Sequence, residues 1–178
     1  MEFKSHTHFS VEEISKIFRR SFSDAEGEQE GEQVASLVGE LIDTSPEQDI
    51  RGFVAEYQTK LLGSIFFTRV DFNTDIEAFI LSPVAILTEA QGQGLGQALI
   101  NHGIAQLSKE GLELLLTYGD PSFYSKVGFQ QVSSQLIKAP FPLSQPEGWL
   151  AQNLKGRALK ALENKGQCVS ALSKAHYW

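Results

Sequence analysis

Apolar residues recur along this chain with two periods, and the switches between them mark out its elements. Residues 2–8 read as a short first strand. Ser10-Val11-Glu12-Glu13 has capping-box spacing and predicts a helix start, after which Ile14, Ile17, Phe18 and Phe22 form one helical stripe. Val34, Leu37, Val38, Leu41 and Ile42 repeat that spacing until Thr44-Ser45-Pro46 stops it. From residue 50 the chain turns β-branched and aromatic. Residues 50–57 and 61–72 predict strands around a hairpin at Gln58-Thr59-Lys60, and after the turn Asn73-Thr74-Asp75 residues 76–87 return as a third antiparallel strand. Pro83 has no N–H to give to a ladder, so Ser82-Pro83 predicts a bulge or a sheet edge.

The pattern then becomes helical again over residues 93–110, with Leu95, Ala98, Leu99 and Leu107 facing the sheet and Gly111 at the end. Residues 112–118 are almost continuously apolar, as in a strand buried on both faces, and after a helix that strand should run parallel to the one before it. Pro121 suits a helix first turn, residues 129–132 begin another strand, and Pro140, Pro142 and Pro146 mark a loop. Residues 149–154 are compatible with a strand and 157–163 are helical in pattern, while the last dozen residues favour neither.

A length of 178 residues predicts one domain, residues 1–178, and 42% apolar content is enough for a core. No apolar run approaches a membrane span, and the polar opening Met1-Glu2-Phe3-Lys4-Ser5-His6 does not read as a signal peptide. A net charge of −7 argues against nucleic acid or an anionic membrane as partner. Asp24, Glu26, Glu28, Glu30 and Glu32, interrupted by two glycines, read as a solvated loop; the functional alternative is an acidic rim that attracts a cationic amine. The single cysteine, Cys168, excludes an internal disulfide and points to a reducing cytoplasmic setting. Among the four histidines only His6-x-His8 has a ligand-like spacing, which suits a strand edge or surface, so no metal is expected.

Candidate chemistry begins at Gln91-Gly92-Gln93-Gly94-Leu95-Gly96, placed after a strand and at a helix start. The first N–H groups of a helix lack intrahelical partners, and the helix dipole adds partial positive charge there. Glycines let a phosphate approach without meeting a Cβ, although they also serve as plain turn punctuation. There is no Gly-Lys-Ser/Thr for a P-loop, and no N-terminal βαβ start with a following acidic residue for a dinucleotide fold. Downstream lies a second cluster, Gly119-Asp120-Pro121-Ser122-Phe123-Tyr124-Ser125-Lys126-Val127-Gly128-Phe129.

Together the two stretches resemble the GCN5-related N-acetyltransferase (GNAT) family. Gln91, Gly94 and Gly96 match its Arg/Gln-x-x-Gly-x-Gly/Ala motif, and Tyr124 to Phe129 its Tyr-x-Lys-x-Gly-Phe signature; Gly119-Asp120-Pro121 looks like one bacterial subgroup. The likeness is close over about residues 50–132. It implies an α/β (α+β) fold: a mixed, mostly antiparallel central sheet, helices on both faces, and a bulged fourth strand splayed from the fifth to admit pantetheine. It also implies acetyl-CoA as cosubstrate and transfer of an acetyl group to a primary amine of a small molecule or peptide, by a monomer or homodimer. A non-catalytic CoA-binding sensor or scaffold is the alternative.

By the same resemblance, Gly92 to Gln97, with Gln91, holds the pyrophosphate, and backbone groups of Val84, Ala85 and Ile86 pair with pantetheine. Many relatives carry basic side chains in this turn; Gln91, Gln93 and Gln97 are neutral, which leaves the work to backbone N–H groups. Tyr124 matches the family's general acid, whose role is to protonate the departing thiolate; the other reading makes it a core aromatic with Phe123 and Phe129. Glu77 and Asp120 are candidate general bases, with structural readings as a surface strand residue and an N-cap; a water chain is the third option. Lys126 is matched to solvent or a phosphate. The acceptor is expected near the first two helices and the 140–149 loop.

Overall fold

The computed structural model describes all 178 residues. Its strands are β1 (Glu2–Ser5), β2 (Ile50–Tyr57), β3 (Lys60–Asp71), β4 (Ala78–Ile86), β5 (Leu114–Tyr118), β6 (Gln130–Gln131), β7 (Trp149–Asn153) and β8 (Gln167–Cys168). The helices are α1 (Val11–Glu26), α2 (Glu28–Thr44), α3 (Leu95–Lys109) and the single turn α4 (Pro121–Tyr124). The strands pair in the order β1-β2-β3-β4-β5-β7-β6, with β8 added to β3. Only β4–β5 is parallel among the pairings β1–β2, β3–β8, β4–β5, β5–β7 and β6–β7, as the intervening helix requires. No helix is long and apolar enough to cross a membrane.

Packing divides the chain into two units, Met1–Phe67 with Pro83–Gly103 and Thr68–Ser82 with Ile104–Trp178. In the first, adjacent β3 residues turn to opposite faces. Phe66 meets Phe18 of α1 at 6.0 Å between ring centroids, while a Cβ on Gly103 of α3 would fall 2.5 Å from the Phe67 ring. Both faces of the strand are thus covered, and Phe66 and Phe67 are fully buried. α3 buries Leu95, Leu99 and Ile100; Ala98, expected on the sheet side, is exposed, and Ile100 occupies that face instead. The α1 start matches its sequence signal, since Ser10 and Glu13 form a reciprocal capping box.

The acidic stretch expected to be a loop is instead helical up to Glu26 and again from Glu28, with only Gly27 (φ 101°) between. Two features favour this over a solvated loop. Glu28 and Glu30 sit in the first turn of α2, where negative charge suits the helix dipole. Gly31 lets that turn press onto α1: a Cβ there would lie 2.0 Å from Ser23 Oγ and 2.5 Å from the Arg19 carbonyl. Its two glycines are a hinge and a contact point, and neither makes a loop.

In the second unit, β5 is flanked by β4 and β7, and Leu115, Leu116 and Thr117 are completely buried. Residues 157–163, helical in pattern, form no helix. A seven-residue helix bounded by Gly156 and Gly166 has little stability of its own, and the chain finds a better partner in extended form. Leu162 bridges Ile137, its N–H donates to the Leu136 carbonyl at 2.7 Å, and its side chain is buried. At the C-terminal end β8 pairs with Val70 and Asp71, and Trp178 is buried against Tyr118, Trp149 and Phe141. The first strand stops at Ser5, and His6–His8 form a 3-10 turn.

Candidate active site

The β4–β5 register ends at Leu81–Thr117, yet β4 continues to Ile86. Its hydrogen-bonding phase changes on the way. The Leu81 carbonyl accepts from Thr117 Oγ1 at 3.0 Å, whereas the Leu87 N–H donates to Leu62 of β3 at 2.8 Å. Six residues apart in a regular strand, both would address the same neighbour, so the strand is irregular around Pro83, as a residue without an N–H requires. Past that point the Ile86 carbonyl takes side-chain donors: Ser21 Oγ at 2.9 Å and Gln91 Nε2 at 2.8 Å. Gln91 thereby braces the turn it begins.

The turn itself is open. Gly92 (φ 73°) and Gly94 (φ 78°) have left-handed backbones, and a Cβ on either would meet nothing within 4 Å. The Gly94 carbonyl accepts the first α3 bond, from Ala98 N–H at 3.0 Å. The N–H groups of Leu95, Gly96 and Gln97 therefore occupy the first turn of a fifteen-residue helix, with no intrahelical acceptors. The conformation suits an anion, and the space above the glycines admits one. Cations that the turn lacks stand nearby: Arg20 and Lys60 each pair with Glu89 at 3.1 Å, balanced by Glu89 and by Asp24, which accepts from Thr88.

In the second unit the tyrosine signature has a mechanical explanation. Asp120 caps α4 by accepting from the Ser122 N–H at 2.8 Å, with Pro121 in the first turn. Gly128 (φ 93°) reverses the chain, so the Phe129 N–H returns to the Tyr124 carbonyl at 3.2 Å. Phe123 and Phe129 then hold the Tyr124 ring edge-on, at centroid distances of 5.1 and 5.9 Å. Gly119 makes room for it: a Cβ there would lie 2.7 Å from the ring. Burial pushes the Tyr124 phenol above its usual pKa, the neighbouring Thr117 hydroxyl pulls it partly back, and the Asp120 charge adds to the rise. The phenol accordingly holds its proton at neutral pH.

The sequence candidates separate here. Tyr124, Asp120 and Lys126 come together on α4 and the turn after it, and Lys126 faces Asp120 closely enough to lower its pKa. The larger causes of that lowering are the Ser122 hydroxyl and N–H, which hold Asp120 as a carboxylate engaged in capping. Glu77 stands elsewhere. Its neighbour Ala78 pairs with Leu114 at the start of β5, whereas Thr117, beside Tyr124, is three residues further, roughly 10 Å along the strand. Its carboxylate is paired with Arg69, whose guanidinium also covers the Phe79 ring.

Sequence reasoning passed over Thr117 and named Gly119 only within the Gly119-Asp120-Pro121 likeness. Thr117 had a signal, being the polar residue inside an otherwise apolar buried strand. The packing role of Gly119 had none, because it is set by a ring five residues away.

Residues 48–131 match the family model of the acetyltransferase (GNAT) domain. The chain is 29% identical over 131 residues to the uncharacterized N-acetyltransferase YjhQ of Escherichia coli K12, covering 70% of this chain and 72% of that protein. Identity to the uncharacterized N-acetyltransferase YhbS of the same organism is also 29%, over 72% of this chain and 73% of that one. The crystal structure of E. coli YhbS in complex with CoA superposes with a TM-score of 0.81 at 22% identity, over 97% of this chain and 92% of that one. A GNAT family acetyltransferase from Brucella melitensis in complex with acetyl-CoA gives 0.69 at 21% identity, over 96% of each chain.

Proposed function

We propose that this chain is an N-acetyltransferase of the GNAT family, whose domain model matches residues 48–131, and that it transfers the acetyl group of acetyl-CoA to a primary amine of a small molecule or peptide by direct attack. A reducing cytoplasmic setting fits its one half-buried thiol, Cys168. The N–H groups at the start of α3, with Gly92 and Gly94, receive the pyrophosphate. Pantetheine pairs with backbone groups of Val84 and Ala85 on irregular β4. The Ile86 carbonyl already serves Ser21 and Gln91, so that residue contributes through its N–H.

The observation that carries the reading is the Tyr124 phenol, clamped by two aromatic rings beside the Thr117 hydroxyl. As the amine nitrogen bonds to the thioester carbon, the carbon–sulfur bond breaks and the thiolate takes the Tyr124 proton; solvent then restores the phenol. Burial holds the phenol above its reference value of about 10, but the same burial makes the departing thiolate, about 8.5 in water, a stronger base, so the transfer stays within reach. Deprotonation of the amine is assigned to solvent. Asp120 is committed to its cap and Glu77 to Arg69, so both are left out of the proton path. Lys126 offers a charge near Asp120 and no reacting group.

Titration with acetyl-CoA and with CoA, followed by thiol release over a panel of amines, tests the reading. Binding of both with amine-dependent thiol release is expected. Binding with no release from any amine would favour a sensor, and absence of binding would overturn both readings.

A further inference from the structure

A groove of about 500 Å³ opens on the second unit, lined by Ser134, Lys138, Phe141, Leu143, Pro146 and Lys165 among others. Its walls are largely apolar and its only charges are the two lysines, in a protein whose net charge is −7. Lys165 Nζ lies 4.8 Å from the centre of the Phe141 ring, and the Gly166 N–H donates to the Lys138 carbonyl at 3.3 Å. The two lysine-bearing segments are therefore tied backbone to backbone, and one ammonium is seated on an aromatic face. Glu147 and Glu163, acids near the groove in sequence, are exposed and do not line it.

The loop that forms this groove is fastened beside the tyrosine. The Tyr118 hydroxyl accepts the Gln145 N–H at 2.7 Å and bonds Ser144 Oγ at 2.9 Å, and Tyr118 stacks on Trp178 with 14° between ring planes. The Gly119 N–H donates to the Gly148 carbonyl at 3.0 Å, and Gly119 is the residue against which the Tyr124 ring lies. Pro146, on the groove wall, is two residues from Gly148. Pro146 to Gly148 is a single 3-10 turn, so the groove wall begins no more than about 15 Å from the Tyr124 ring, a span that about four extended peptide residues cover.

Resting on the acetyl-transfer reading above, we propose that this groove binds an anionic group on the acceptor, so that the preferred acceptor is an amine joined through an apolar stretch to a distant carboxylate. Overall charge points to a cationic acceptor; the local charge of the groove is opposite. The same carboxylate chemistry comes from a peptide or from a small amino acid, and the probes separate them.

The first probes are N-acetyl-Ala-Phe-Ala-Glu-amide and its Gln counterpart, titrated directly because neither requires turnover. The free-amine forms, together with 8-aminooctanoate and octylamine, are then compared by kcat/KM in thiol release. The wild type should bind the Glu peptide about tenfold more tightly than the Gln peptide at low salt, and the ratio should shrink as salt screens it. K138Q/K165Q should bring the ratio close to one and K138E/K165E should invert it, with melting temperature and acetyl-CoA affinity unchanged. A preference only within the octyl pair assigns the groove to small carboxylates, and only within the peptides to acidic peptides. A ratio near one in the wild type for both pairs overturns the inference. A preference in the titration with no thiol release from any amine overturns the transfer reading and leaves the groove standing.

Discussion

His6 lies edge-on to Phe66, 5.5 Å between ring centroids, with Nδ1 3.3 Å from the Gly52 carbonyl oxygen. Gly52 permits this approach, since a Cβ there would come within 2.8 Å of the imidazole. Burial lowers the His6 pKa, the Gly52 carbonyl raises it partly, and the Arg51 charge lowers it further. The unfolded chain, at about 6.5, takes the proton first. Stability is therefore fully present above that pH and falls as pH drops from there toward the lower folded value. Thermal unfolding between pH 7.5 and 5.5 should show this decline, and His6→Asn should flatten it. An equal slope in both proteins would remove His6 as the cause. Tyr124 depends on its surroundings in the same way, and a second glycine, Gly119, clears its space. Such glycines are readable in a sequence, but the ring each one accommodates is not.

Among the elements, the β4-to-α3 turn was the most legible, because its glycines, flanking strand and following helix all obey local rules. Pro83 likewise announced an irregular strand. Gly94→Asp puts a negative side chain where the pyrophosphate is proposed to sit. With open space around the Cβ position, and with aspartate tolerating a left-handed backbone, it should cost only about 1 kcal/mol of stability. Acetyl-CoA affinity should fall at least about tenfold, the equivalent of roughly 1.4 kcal/mol, in a calorimetric titration; an unchanged dissociation constant would reduce the glycines to punctuation. Where local pattern failed, tertiary partners decided. The acidic run reads as a loop because its charges look solvated, yet Gly31 and the ion pair of Arg19 with Glu32 fasten it to α1. Residues 157–163 carry helical spacing, but Leu162 gains more from the Ile137 bridge.

For the whole molecule, the resemblance to the GNAT family was legible because two motifs stand in a fixed order; the family model matches residues 48–131, and the strand order around β4 and β5 agrees with it. The acceptor was not legible. In the proposal above it depends on a loop whose shape comes from Tyr118, Trp149 and Trp178, residues far apart in the chain with no common motif. The proposed mechanism turns on the Tyr124 hydroxyl delivering a proton to the leaving thiolate. Steady-state thiol release by Tyr124→Phe, against the wild type with a saturating amine, measures this directly, because the substitution keeps the ring packed by Phe123 and Phe129. Turnover should fall by about a hundredfold to ten-thousandfold, with acetyl-CoA affinity and melting temperature little changed and the deficit smaller at high pH. Full turnover in the variant, or a fall explained by lost folded protein, would contradict it.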